Sequence, residues 1–208
     1  MEIANSKKSR INWIDMAKGY GILLVILGHL GVGKLGLWIY TFHMPLFFFL
    51  SGYVFSIKYD FITFLKRKCK SILLPYFALG IPMIIFQFIW ECFYEKNNID
   101  FVNLFLEFII QRRFLTLWYL ACLFWLNIIF YCLVKWCRSL YKILIISFML
   151  FLLGLTYYRL GGVSLPWNVD VCFTAVLFFS MGYFLKTIMY FFKNYFIKNN
   201  QYSFFLLH

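Results

Sequence analysis

The sequence is poor in charge. Only 13% of its 208 residues are Asp, Glu, Lys or Arg, whereas a soluble domain has about 25%. With 63% hydrophobic and 24% aromatic residues, a soluble chain of this kind could not cover its surface with polar groups. That excludes an ordinary soluble protein and leaves a polytopic membrane protein. Acid is scarcest of all: eight Asp and Glu stand against 20 Lys and Arg, a net charge of +12. Such a balance would suit nucleic acid, but the basic residues sit in short runs between apolar blocks and no nucleic-acid-binding motif occurs. The expected partner is an anionic membrane face, not a nucleic acid. The six cysteines, Cys69, Cys92, Cys122, Cys132, Cys137 and Cys172, include no CxxC pair and no zinc-like spacing. They read as apolar filler, and no metal is expected. No small-residue cleavage site follows the first apolar core, so that core reads as a retained anchor. No repeat or low-complexity linker divides the chain, and residues 1–208 read as one domain.

Long apolar runs are abundant. A bilayer core takes about 20 mostly apolar residues per helix. Six segments qualify, roughly 12–31, 38–57, 72–93, 115–134, 142–159 and 171–190. The expected fold is an all-α polytopic membrane bundle of these six transmembrane helices. Pro45, Pro75 and Pro82 fall inside spans, where neighbouring helices tolerate the kinks they make. The stretch "IDFVNLFLEFIIQ", 99–111, is too short and too acidic to span. Its apolar positions Phe101, Leu104, Phe105, Phe108 and Ile109 share one helical face, which predicts a helix lying along the membrane surface.

Basic residues set the orientation. One side of the six-span topology receives 14 of them: Lys7, Lys8, Arg10, Lys58, Lys66, Arg67, Lys68, Lys70, Lys135, Arg138, Lys142, Lys186, Lys193 and Lys198. The other receives five: Lys34, Lys96, Arg112, Arg113 and Arg159. The bias predicts a cytoplasmic N-terminus in a multi-pass protein of the cell membrane.

Three polar residues interrupt the first span, "WIDMAKGYGILLVILGHLG". Asp15 and Lys18 are one helical turn apart and can pair; the pair would then fix the depth of the helix, with Lys18 snorkelling to the interface. Lys18 and His29 are 11 residues apart, close to three full turns, which places them on one face about 16 Å apart. Charged and titratable groups inside a span carry a functional reading by default. In "FHMPLFFFLSGYVF", residues 42–55, His43 lies at the same membrane side as His29, whereas Ser51 and Gly52 read as close helix packing. Two histidines at one depth suit acid–base chemistry, a His-lined transport path or a b-type haem. On the residues alone, an enzyme and a transporter or channel stand level.

The two blocks "RINWIDMAKGYGILLVILGHLG" and "FHMPLFFFLSGYVF" resemble the opening of the acyltransferase-3 family of integral membrane acyltransferases, and are nearest in flavour to its fucose 4-O-acetylase-like branch. "FLKRKCKSILLPYF", "LTLWYLACLF" and "LPWNVDVCFTAVLFFSMGYFL" resemble later blocks of that family, in family order over residues 10–185. The resemblance implies transfer of an acyl group, commonly acetyl from cytoplasmic acetyl-CoA, to a hydroxyl of an envelope carbohydrate. The family has a basic residue, ten intervening residues and a His in its first span; Lys18 and His29 match it. A sugar hydroxyl is a poor nucleophile, and a positioned imidazole helps by taking its proton. His29 fits that role, Lys18 would attract the donor, and Asp15 would orient Lys18. The basic loop with Lys66, Arg67 and Lys70 would hold CoA phosphates. The family often has Arg-x-x-Arg there, and Lys70 replaces the second fork with a point charge. Family members are generally longer, with more spans. A C-terminally truncated member is therefore expected, one that is poorly stable, inactive or dependent on a partner chain or oligomer. "KNYFIKNNQYSFFLLH" would begin a seventh span.

Overall fold

The computed structural model describes residues 12–95, 100–111 and 117–205. Lys7, Lys8, Arg10, Lys96, Arg112 and Arg113 of the charge count lie outside them. Two glycines with positive φ, Gly31 (70°) and Gly33 (56°), make the turn between α1 (Asn12–His29) and α2 (Lys34–Val54). The turn sends α2 back antiparallel along α1: Gly28 faces Ile39, Gly21 faces Phe47, and Ile14 packs on Leu50 and Tyr53. Ile14, Gly21 and Gly28, spaced by seven, form the buried seam.

Five helical stretches are long and apolar enough to cross a membrane among the described residues: Lys34–Val54, Phe61–Phe93, Trp118–Cys137, Leu140–Arg159 and Pro166–Lys193. They match five of the six expected spans. α1 is helical where the first span is expected but falls short of that apolarity, because Asp15, Lys18 and His29 dilute it. It shares the depth of α2 through the antiparallel seam.

The expected basic loop at 66–70 is helix instead. α3 (Phe61–Lys68) passes through a π-turn, Cys69–Leu73, into α4 (Leu74–Trp90). Pro75 supplies the reason for the π-turn: it has no N–H to give and its ring crowds the carbonyl four residues back. The ladder shifts, and the Leu74 N–H bonds the Cys69 carbonyl.

The surface-lying helix is also corrected. α5 (Phe101–Ile110) folds back antiparallel against α4, with Phe101 on Phe88, Leu104 clustered with Ile84, and Phe108 stacked on Tyr76 at 4.9 Å. Phe108 lies over Gly80, where any Cβ would collide with its ring. The apolar stripe read from the sequence is real, but Leu104 and Phe108 are buried by protein, and α5 runs at the depth of α4.

α6 (Trp118–Cys137), α7 (Leu140–Arg159) and α8 (Val169–Phe205) complete the bundle. α8 is the central post. It meets α7 where Gly154 faces Thr174, α6 where Phe179 packs on Phe130, and α2 where Gly52 and Gly182 cross. A Cβ on Gly52 would overlap the Phe179 carbonyl, and one on Gly182 the Phe49 carbonyl. The packing role expected for Gly52 holds. α8 continues as one helix to Phe205, so the described part of "KNYFIKNNQYSFFLLH" prolongs the sixth span instead of opening a new helix.

Candidate functional site

α1 and α2 carry the site. Counted at 100° per residue, Lys18 and His29 fall within about 20° of each other, on one flank of the seam with α2. Lys18 is half-buried; His29 and Asp15 are exposed. Among the described residues, Asp15 forms no ion pair with Lys18. Asp15 sits in the first turn of α1, where the helix dipole favours negative charge without a partner.

The two histidines meet through Tyr40. Its ring lies 5.6 Å from His29 and 5.3 Å from His43, edge-on to both. His43 is buried, 3% exposed, and its Nδ1 bonds the Ile39 carbonyl at 2.9 Å. His29 Nδ1 bonds the Val25 carbonyl at 2.8 Å. A carbonyl only accepts, so each Nδ1 must carry the proton. Each neutral imidazole then keeps its lone pair on Nε2, the nitrogen turned away from its own helix. For the exposed His29 this presents a proton acceptor at the end of the hairpin. Tyr40 was not singled out by the sequence; its signal was the three-residue spacing to His43 on one helix.

The basic residues gather at the opposite end of the α1–α2 hairpin. Arg67 lies 4.0 Å over the Tyr59 ring. The Lys68 ammonium lies 5.4 Å from the Phe64 ring and 6.0 Å from that of Phe55. Lys186 donates to the Phe55 carbonyl. Lys135 lies 5.9 Å over Tyr131, whose hydroxyl donates to the Tyr59 carbonyl. Lys66, Arg67 and Lys70 are exposed. They stand together, well removed from His29 and His43.

A polar node that the sequence did not announce joins α4, α5 and the turn ahead of α8. Tyr76 donates to the Phe108 carbonyl at 2.7 Å, Gln111 Nε2 donates to Tyr76 at 3.0 Å, and Asn168 donates to the Gln111 carbonyl at 3.0 Å. Gln111 and Asn168 are fully buried with φ of 50° and 53°. The node locks the end of α5 to the short helical turn Pro166–Asn168 ahead of α8. Asp170 accepts from the Leu165 N–H at 3.2 Å and so ties that turn to α8.

A bundle of apolar helices, with histidines at one end and clustered cations at the other, defines a multi-pass membrane protein with a polar flank along its first hairpin. Comparison with family profiles matches residues 11–206 to the acyltransferase domain of the acyltransferase-3 family, and the chain belongs to that family. No curated protein and no solved structure matches it.

Proposed function

We propose that this chain is a membrane O-acyltransferase that moves an acyl group, acetyl in the simplest case, from acyl-CoA to a carbohydrate hydroxyl. The observation that carries the reading is His29, whose Nδ1 is committed to Val25, leaving Nε2 as an exposed base. In the transfer, Nε2 takes the hydroxyl proton, the oxygen attacks the thioester carbonyl, and the CoA thiolate leaves with that proton. Membership of an acyltransferase family supports the class of reaction. The cluster of Lys66, Arg67 and Lys70 supports a donor that arrives at the basic face, which the charge bias predicts to be cytoplasmic. Lys18, half-buried on the flank that leads to His29, suits the polar stem of the donor. Asp15 modulates the field at Lys18 without bonding it. His43 and Tyr40 support the His29 ring from α2. The acceptor is an envelope carbohydrate reached from the His29 end, and the protein works in a bacterial cytoplasmic membrane. The decisive experiment measures acetyl incorporation into surface polysaccharide with and without the intact gene. Equal acetylation in both strains would refute the proposal.

A further inference from the structure

A cleft of about 570 Å³ opens at the basic end, between the inner end of α2 and α8. Its walls include Tyr53, Phe55 and Ser56 on one side and Tyr183, Lys186 and Lys193 on the other. Lys186 and Lys193 are seven apart on one continuous helix, so both face the same way, about 10 Å from each other along the axis. Among the described residues, no carboxylate lines the cleft. Phe55 joins it to the basic helix: Lys68 lies against its ring and Lys186 bonds its carbonyl. The cleft therefore combines a positive field, aromatic walls and hydroxyls, in a volume within the usual range for small-ligand sites, about 300–1,000 Å³. Anions with a planar base fit that description: phosphate for the ammonium groups, a purine for the tyrosines.

We propose that this cleft holds the phosphate-bearing nucleotide end of the acyl-CoA donor, with Lys186 and Lys193 on its phosphates, an inference that rests on the acyl-transfer reading above. Tyr53 gives the cleft its way out. Its ring packs edge-on against Trp13 at 4.9 Å and clusters with Ile14. A pantetheine arm leaving past Tyr53 thus meets the start of α1, one turn before Lys18. The cluster at Lys66, Arg67 and Lys70 then serves as a steering field outside the cleft.

Anionic lipid headgroups share the phosphate chemistry, and the test separates the two. CoA binding to the full chain in nanodiscs is measured by titration, for the wild type, Lys193→Gln, Lys186→Gln and, as a control of equal charge change, Lys142→Gln. Lys193→Gln is expected to weaken CoA by about tenfold, one charge-assisted contact, with unchanged thermal unfolding. Lys186→Gln is expected to do the same, and Lys142→Gln to leave affinity unchanged. Adenosine 3′,5′-bisphosphate should displace CoA, and the addition of phosphatidylglycerol should not. A wild type that binds no CoA would overturn the donor assignment itself. CoA binding that is normal in both cleft variants, or equally weakened in Lys142→Gln, would overturn the cleft alone and leave the acyl-transfer reading intact. Displacement by phosphatidylglycerol but not by the bisphosphate would reassign the cleft to lipid.

Discussion

His29 is exposed and His43 is buried, although both anchor Nδ1 to a carbonyl four residues back. The difference in access assigns them different work. A base must reach the acceptor, so the proposed transfer gives the proton to the exposed His29 and leaves the buried His43 to hold Tyr40. His29→Ala should lower acyl transfer by about 10²–10⁴-fold, the usual range for a general base, while expression and membrane insertion stay normal. His29→Gln should fail equally, since an amide keeps the shape but cannot take a proton. Radiolabelled acetyl transfer in isolated membranes checks both, and wild-type rates in either variant would remove His29 from the mechanism. The shared face of His29 and Lys18 was legible because an eleven-residue spacing on a helix is nearly a whole number of turns. Tyr40, Lys186 and Lys193 were not. Lysines seven apart declare a shared face, but which neighbour walls that face depends on how α8 crosses α2. That crossing is set by Gly52 and Gly182; the local pattern marks Gly52 as a close-packing position but not the α8 residues it meets.

Elements show where sequence patterns mislead. The run Lys66–Lys70 reads as a loop because charge and loops go together, yet charged residues on the exposed face of α3 cost a helix nothing. Asp60 starts that helix, its carboxylate accepting from the Thr63 N–H at 3.2 Å. Hydrogen bonds from Thr63 hold the Asp60 carboxyl below its ordinary value of 3.8. The contribution of a lowered carboxyl to folding is complete above the unfolded pKa and fades as pH falls through the folded one. Protection of the Thr63 amide, its exchange relative to the intrinsic rate at each pH, should therefore fall below about pH 4 and stay constant from neutral pH down to there; in Asp60→Ala it should be low throughout. α5 was misplaced for a related reason. One apolar face is equally suited to lipid and to a neighbouring helix, and only the bare Gly80 on α4, which admits the Phe108 ring, decides for protein. The sharpest elemental test is the α2–α8 crossing. Gly52→Ala and Gly182→Ala each place a methyl on a carbonyl oxygen, and neither backbone can yield as a flexible side chain would. Each should cost about 1–3 kcal/mol, the range for overpacking. Gly21→Ala, facing only the tip of the Phe47 ring, should cost less. Thermal unfolding in detergent orders the three, and a Gly52→Ala protein as stable as Gly21→Ala would contradict the close crossing.

At the scale of the molecule, the fold turns one sequence feature, the uneven spread of Lys and Arg, into a physical polarity. Lys68 and Lys186 meet at Phe55, and Arg67 and the Lys135-bearing turn of α6 meet around Tyr59. These four cations come from three separate helices, α3, α6 and α8, so the end they share is a consequence of packing and not of any one loop. If that end faces the cytoplasm, His29 faces outward and the acyl group travels from an internal donor to an external acceptor. If it faces outward, the basic cleft points away from a cytoplasmic donor and His29 lies on the donor's side. α7 offers the cleanest discrimination because exposed residues mark the two ends of one span: Lys142 in its first turn, Val163 just past its last. Single cysteines at these positions would be placed in a chain whose Cys69, Cys92, Cys132 and Cys137 are replaced. Cys122 and Cys172 can stay, since both are buried against each other at 3.4 Å between α6 and α8 and are shielded from an impermeant reagent. In intact cells Val163→Cys should react with a membrane-impermeant maleimide and Lys142→Cys should react only after permeabilisation. The reverse pattern would put the basic end outside, leave His29 at the cytoplasmic face, and require that donor and acceptor meet on one side of the membrane.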